Sequence, residues 1–138
     1  MEQGNPVALL VVAEDDADIR SIMVRVLRRG GHEVVEAADG AAALEAVRAH
    51  RPEAVVTDID MPAMTGAELC EAIRADDGLR DLPVIFVSGS LMPGDTRPVD
   101  AGATAMLAKP FKPADLTGCL DKALAGGHRH GAPPMSCP

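Results

Sequence analysis

Short apolar runs recur along this chain, each followed by a segment with helical spacing. No other feature limits its fold as strongly. Val7–Ala13 (VALLVVA), His32–Glu36 (HEVVE), Glu53–Thr57 (EAVVT), Pro83–Val87 (PVIFV) and Thr104–Ala108 are five such runs. The first of these runs, VALLVVA, is apolar without alternation, as expected for a parallel strand buried on both faces. After it, Ile19, Ile22, Met23, Val26 and Leu27 fall at i, i+3, i+4 spacing, the stripe of a core-facing helix. Asp16 or Ala17 opens that helix and Gly30-Gly31 stops it. Asp39 and Thr65 are suited to cap the helices that carry Leu44, Val47, Leu69 and Ile73 inward. Residues 91–101, with Pro93 and Pro98, form only a weak helix candidate, and a last helix runs from Pro113 to Ala125. Strand–helix alternation repeated five times predicts an α/β fold: one doubly wound five-stranded parallel sheet with helices on both faces.

At 138 residues this is one domain, divided as an N-terminal extension 1–6, a folded unit 7–125 and a tail 126–138. The tail, GGHRHGAPPMSCP, lacks apolar periodicity and is expected to be flexible; His128 and His130 within it are given no metal role. Two Phe and no Trp or Tyr leave an aliphatic core. A net charge of −8 repels nucleic acid and anionic membranes, so neither is an expected direct partner. No signal core or membrane span is visible, which predicts a cytoplasmic protein. Cys70, Cys119 and Cys137 show no zinc-ligand spacing, and the first two read as reduced helix-face residues.

In doubly wound sheets ligands bind beyond the carboxyl ends of the strands, where strand order reverses. Glu14-Asp15-Asp16 follows the first strand and Asp58 the third, and these strands are neighbours at such a point. Glu14, Asp15 and Asp58 would then share one pocket. Close carboxylates repel by ~4 kcal/mol per pair at 4 Å and an effective dielectric of 20, so a cation should join them. An all-oxygen donor set favours Mg²⁺, Mn²⁺ or Ca²⁺ over zinc, and Mg²⁺ retains positions for water and phosphate oxygens. Ser88 ends the fourth strand and Lys109 the fifth, adding a hydroxyl and an ammonium. Together these groups suit a phosphoryl group, with Asp58 as the nucleophile.

Each residue also has a plainer reading. Acidic runs are usually solvated, Asp58 could cap a turn before Met61-Pro62, and Lys109 could be an ordinary surface lysine. Their coincidence at one sheet edge favours the functional reading.

The segments LLVVAEDDADIR, VVTDIDMPAMTG, VIFVSGS and AGATAMLAKPF resemble the signature stretches of response-regulator receiver domains, and the resemblance covers roughly residues 7–125. It implies a flavodoxin-like strand order of 2-1-3-4-5 and a two-component signalling role. Asp58 matches the phosphoacceptor, charged by a sensor histidine kinase or a histidine phosphotransfer protein. Glu14 and Asp15 match the Mg²⁺-binding acids, and Asp60 the position whose backbone carbonyl binds the metal. Ser88 matches the switch hydroxyl, and Lys109-Pro110 the family's Lys-Pro pair, expected cis. Met106 departs from the pattern, standing where an aromatic usually sits. With no output region after residue 125, the chain is expected either to act as a single domain that switches an unidentified output protein or to be one module of a larger protein. It is not expected to be an enzyme beyond assisting its own phosphorylation and slow dephosphorylation.

Two alternatives belong to other classes. One is a receiver-fold interaction module independent of phosphorylation, which the intact residue set argues against. The other is a phosphatase, since Asp58-Ile59-Asp60 resembles the DxD of haloacid dehalogenase-type enzymes. That motif follows a first strand, however, whereas here it follows the third. A nucleotide-binding domain is disfavoured, because AEDDAD replaces the glycine-rich turn that a pyrophosphate needs.

Overall fold

Strands with apolar side chains on both faces need a helical layer on each side, and the chain supplies both. The computed structural model describes residues 8–90 and 94–137; the expected extension 1–6 lies outside them. In chain order the elements are β1 (Leu9–Ala13), α1 (Ala17–Arg29), β2 (Glu33–Ala37), α2 (Gly40–His50), β3 (Ala54–Thr57), α3 (Gly66–Ala75), β4 (Val84–Ser88), α4 (Arg97–Ala101), β5 (Ala105–Ala108), α5 (Pro113–Gly126) and β6 (Met135–Ser136). Every strand pairing is parallel, in the order β2-β1-β3-β4-β5-β6. The doubly wound, flavodoxin-like architecture is as expected, with a sixth strand added at the edge.

Strand side chains alternate between two cores. Val11, Val55, Val84 and Phe86 pack with Leu44, Val47, Leu69 and Ile73 of α2 and α3. Leu10, Val12, Val56, Ile85 and Val87 pack with Met23, Leu27, Leu116 and Leu120 of α1 and α5. Each fully buried Leu, Ile or Phe contributes about 1.5–3 kcal/mol, so an aliphatic core suffices. Asp16 caps α1 by accepting from the Asp18 and Ile19 N–H groups, Asp39 caps α2, and Thr65 with Glu68 forms a capping box on α3.

The structure corrects the reading of the C-terminus. Residues 127–137 lie against the domain instead of forming a flexible tail. The Met135 N–H donates to Thr104 O at 3.0 Å and the Cys137 N–H to Met106 O at 2.8 Å, adding β6 to the β5 edge. Cys119 and Cys137 form a disulfide, so Cys119 is not the reduced residue expected, while Cys70 is free and buried. His128 bonds Thr104 and Arg74, and His130 pairs with Asp81 at 2.7 Å. Backbone pairing to an edge and a covalent link need no apolar periodicity, which is why pattern reasoning passed over them. Within the weak 91–101 segment, α4 is a single five-residue piece with Pro98 in its first turn; residues 91–93 lie outside the described residues.

Candidate functional site

The carboxyl ends of β1, β3 and β5 deliver the site residues. Asp58 directly follows β3, and its N–H donates to Ala13 O at 3.0 Å, which fixes the loop beside the end of β1. Its Oδ1 accepts from the Ile59 N–H at 2.7 Å, and its Oδ2 lies 3.3 Å from Lys109 Nζ. Glu14 follows β1 and is almost fully buried; its Oε1 accepts from Lys109 Nζ at 2.6 Å and its Oε2 from the Asp16 N–H at 3.2 Å. Asp15 is exposed at the rim. Carboxylate oxygens of Glu14, Asp15 and Asp58 lie within 4.8 Å of one another.

One ammonium therefore serves two buried anions. Burial pushes the Glu14 carboxyl above its ordinary value, and the Asp58 charge adds to this; Lys109 and the Asp16 N–H oppose it without cancelling it. Burial disfavours the Lys109 charge, but its bond to Glu14 and the two carboxylates outweigh this and hold the ammonium above the usual lysine value. The Glu14 shift is chiefly the cost of burying its charge, and the Lys109 shift reflects the two carboxylates beside it; two buried carboxylates with one shared ammonium favour a further cation. The donors are all carboxylate oxygens, and Asp15 can reach solvent, so the set fits a hard, oxygen-preferring divalent ion with some waters retained.

Ser88 ends β4 and is buried, but no hydrogen bond joins it to Asp58 among the described residues. Its Oγ accepts from the Ser90 N–H at 3.1 Å and shares a 3.0 Å bond with Ser90 Oγ. The Lys109 N–H donates to Ser88 O at 3.0 Å, and the Lys109-Pro110 bond is cis as expected. The Asp60 side chain turns outward to Ser90 and to Arg97 of α4, 3.1 Å away; Arg97 also holds Asp95 at 2.8 Å. Sequence reasoning missed this chain of polar contacts, because no spacing rule ties Asp60 to a residue 37 positions on. It also missed two glycines that seat the Asp58 loop: the Gly66 N–H donates to Ile59 O at 2.7 Å and the Gly40 N–H to Met64 O at 3.1 Å.

The architecture and pocket together define a doubly wound α/β domain with an acidic, lysine-bridged site at its topological switch point. The response regulator receiver domain family matches residues 10–121, and the chain belongs to that family, the receiver domains of two-component response regulators. It is 38% identical over 117 residues to the transcriptional regulatory protein PrrA of Mycobacterium bovis, covering 84% of this chain and 49% of that protein. With the DNA-binding response regulator MtrA of Mycolicibacterium paratuberculosis it shares 34% over 108 residues, 78% of this chain and 47% of that one. The chain thus spans about half the length of these curated relatives. Chemotaxis response regulator CheY4 of Vibrio cholerae superposes with a TM-score of 0.80 at 30% identity, over 85% of this chain and 98% of that one. The receiver domain of sensor histidine kinase PA1611 from Pseudomonas aeruginosa, solved with a magnesium ion coordinated in its active-site cleft, superposes with a TM-score of 0.81 at 28% identity, over 87% and 99%. No helix among the described residues is long and apolar enough to cross a membrane.

Proposed function

We propose that this domain accepts a phosphoryl group on Asp58 from a phosphohistidine of a sensor histidine kinase or histidine phosphotransfer protein, with Mg²⁺ held by Glu14, Asp15, Asp58 and the Asp60 carbonyl. The observation that carries the proposal is the set of three carboxylates within 4.8 Å with Lys109 between two of them. In the reaction a carboxylate oxygen of Asp58 forms the new bond to phosphorus as the phosphorus–nitrogen bond to the imidazole breaks, and the imidazole leaves with a proton. Lys109 faces the oxygen side of this exchange and neutralises the charge gathering there. The Ile59 N–H fixes the Asp58 rotamer, so little rearrangement is needed before attack. When bound, the metal supplies further neutralisation between the carboxylates and the phosphoryl oxygens.

The phosphoryl group adds about −1.5 to −2 of charge and new acceptor oxygens. Ser88 donates to it by leaving Ser90, whose hydroxyl also bonds Asp60 and Arg97. Rearrangement at Asp58 thereby reaches α4, with flexible, half-buried Met106 adjusting where an aromatic would rotate. The domain is a cytoplasmic switch for partner binding and turns over no separate substrate. The relatives named as a transcriptional regulatory protein and a DNA-binding response regulator carry such a domain in chains about twice as long, so the switched partner is either a separate protein or an attached output domain. A Mg²⁺ titration followed by NMR tests the site. Saturable shifts at Glu14, Asp15 and Asp58, abolished in Asp15→Asn, are expected; equal shifts in that variant would contradict the ligand set.

A further inference from the structure

We propose that Cys119 and Cys137 form a reversible thiol–disulfide site, cleaved by a dithiol reductant, that decides whether the C-terminal strap stays on the β5 edge. The two cysteines are 18 residues apart, with Cα atoms 5.6 Å apart. Cys119 lies on the inner face of α5, in the core with Leu116 and Leu120. Cys137 is only half-buried, and its neighbours Met135 and Ser136 are exposed. Cys137 packs against that core from its outer side, so the bond joins a fully buried residue to a partly exposed one, and a solvent-borne thiolate would approach from the Cys137 side.

Little else holds the strap. Between Gly127 and Cys137 no residue is buried, so the segment places no side chain fully in the core. Its other attachments are the short β6–β5 ladder, the packing of half-buried Cys137 against the α1/α5 core, the His128 contacts to Thr104 and Arg74, and the exposed His130–Asp81 pair. Gly127 and Gly131 both sit at positive φ, 65° and 80°, residues whose freedom in the unbound strap is large. Ordering eleven such residues against a few surface hydrogen bonds is a losing balance once the cross-link opens. Cys70 does not compete for exchange: it is buried in the core on the opposite face of the sheet, and burial pushes its thiol up to about 11.

In the exchange a thiolate of the reductant attacks the Cys137 sulfur, and the Cys119–Cys137 bond breaks. Cys119 leaves as a thiolate and takes a proton. The reductant's second thiolate then displaces Cys137, so the reductant departs as a disulfide and the chain gains two thiols. Release frees the Thr104 and Met106 carbonyls at the sheet edge, which β6 otherwise occupies. The inference does not depend on phosphorylation of Asp58.

Hydrogen exchange of the full chain, oxidised and then treated with dithiothreitol, tests it. Denaturing alkylation should count one free thiol before reduction and three after. The amides of Met135 and Cys137 should exchange at least tenfold faster in the reduced protein, and in untreated Cys137→Ser, with β1, β3 and β4 unchanged. Three free thiols in air-oxidised protein would overturn the proposal. So would unchanged exchange at 135 and 137 after reduction, and so would loss of protection across the whole sheet, which would make the bond a staple of the fold and not a latch.

Discussion

Gly66→Ala is predicted to damage both the fold and the site. A Cβ built on Gly66 falls 1.9 Å from Asp58 O and 2.9 Å from both Asp58 C and Ile59 Cα. An ordinary carbon–oxygen contact is ~3.3 Å, so about 1.4 Å must be made up by backbone movement. Neither side yields easily. Asp58 O accepts from Thr57 Oγ1 at 2.8 Å, and the start of α3 is held by the Thr65–Glu68 capping box. Overpacking costs about 1–3 kcal/mol, and a clash against backbone belongs at the upper end. At roughly 2–4 °C per kcal/mol for a chain near this size, the melting temperature should fall by about 10 °C. A shift of about 1 Å at a reacting group can lower rate ~10²-fold, so Asp58 phosphorylation should slow to a similar degree. With no Trp or Tyr in the chain, urea unfolding is best followed by far-UV circular dichroism. Gly118→Ala is the control: nothing lies within 4 Å of its added Cβ, and a helical Gly→Ala change should stabilise by about 0.5–1 kcal/mol. A Gly66→Ala protein within about 0.5 kcal/mol of the parent, as expected of changes away from such features, would refute the argument.

Lys109→Ala leaves Glu14 and Asp58 facing each other without their shared cation. The loss should be about 2 kcal/mol, less than the 3–5 of a fully buried pair because the lysine side chain is 17% exposed. Added Mg²⁺ should stabilise this variant more than the parent in thermal melts; equal stabilisation would argue against a common site. His128 should titrate at about 4, since burial and the Arg74 guanidinium disfavour its protonated form. Its folded value lies below the ordinary 6.5, so its contribution is complete above about 6.5 and is lost as pH falls toward 4. An NMR titration of its ring protons checks this, and a midpoint near 6.5 would mean that the ring is not seated against Arg74.

The elements readable in advance were those whose signal is local. The apolar run of β1 is buried as the pattern implied, and so are Met23 and Leu27 of the α1 stripe; Ile22, read on the same stripe, is 49% exposed, and Ile19 and Val26 are half-buried. Glu14, Asp15, Asp58 and Lys109 came together because strand ends converge at one edge, so topology alone placed them. Ser88 reached the same edge but bonds Ser90, a choice that depends on loop geometry. The strap was unreadable for a different reason. It is held by an edge strand of two residues, a disulfide and Arg74, which also donates to Gly102 O and Leu82 O at 2.9 and 2.6 Å. None of these leaves a periodic trace. The wide separation of Cys119 and Cys137 in sequence carried no information about their separation in space. Gly40 and Gly66 follow the caps Asp39 and Thr65, and only the three-dimensional approach of the 58–64 loop explains why a side chain is excluded there.

Phosphorylation of Asp58 can be followed by intact mass spectrometry after incubation with a small-molecule phosphodonor, with and without Mg²⁺. The protein should gain one phosphoryl group, mapped to the peptide containing Asp58, dependent on the divalent ion and absent in Asp58→Asn. Modification that persists in Asp58→Asn at the parent rate, or proceeds equally in excess chelator, would contradict the Asp58 assignment.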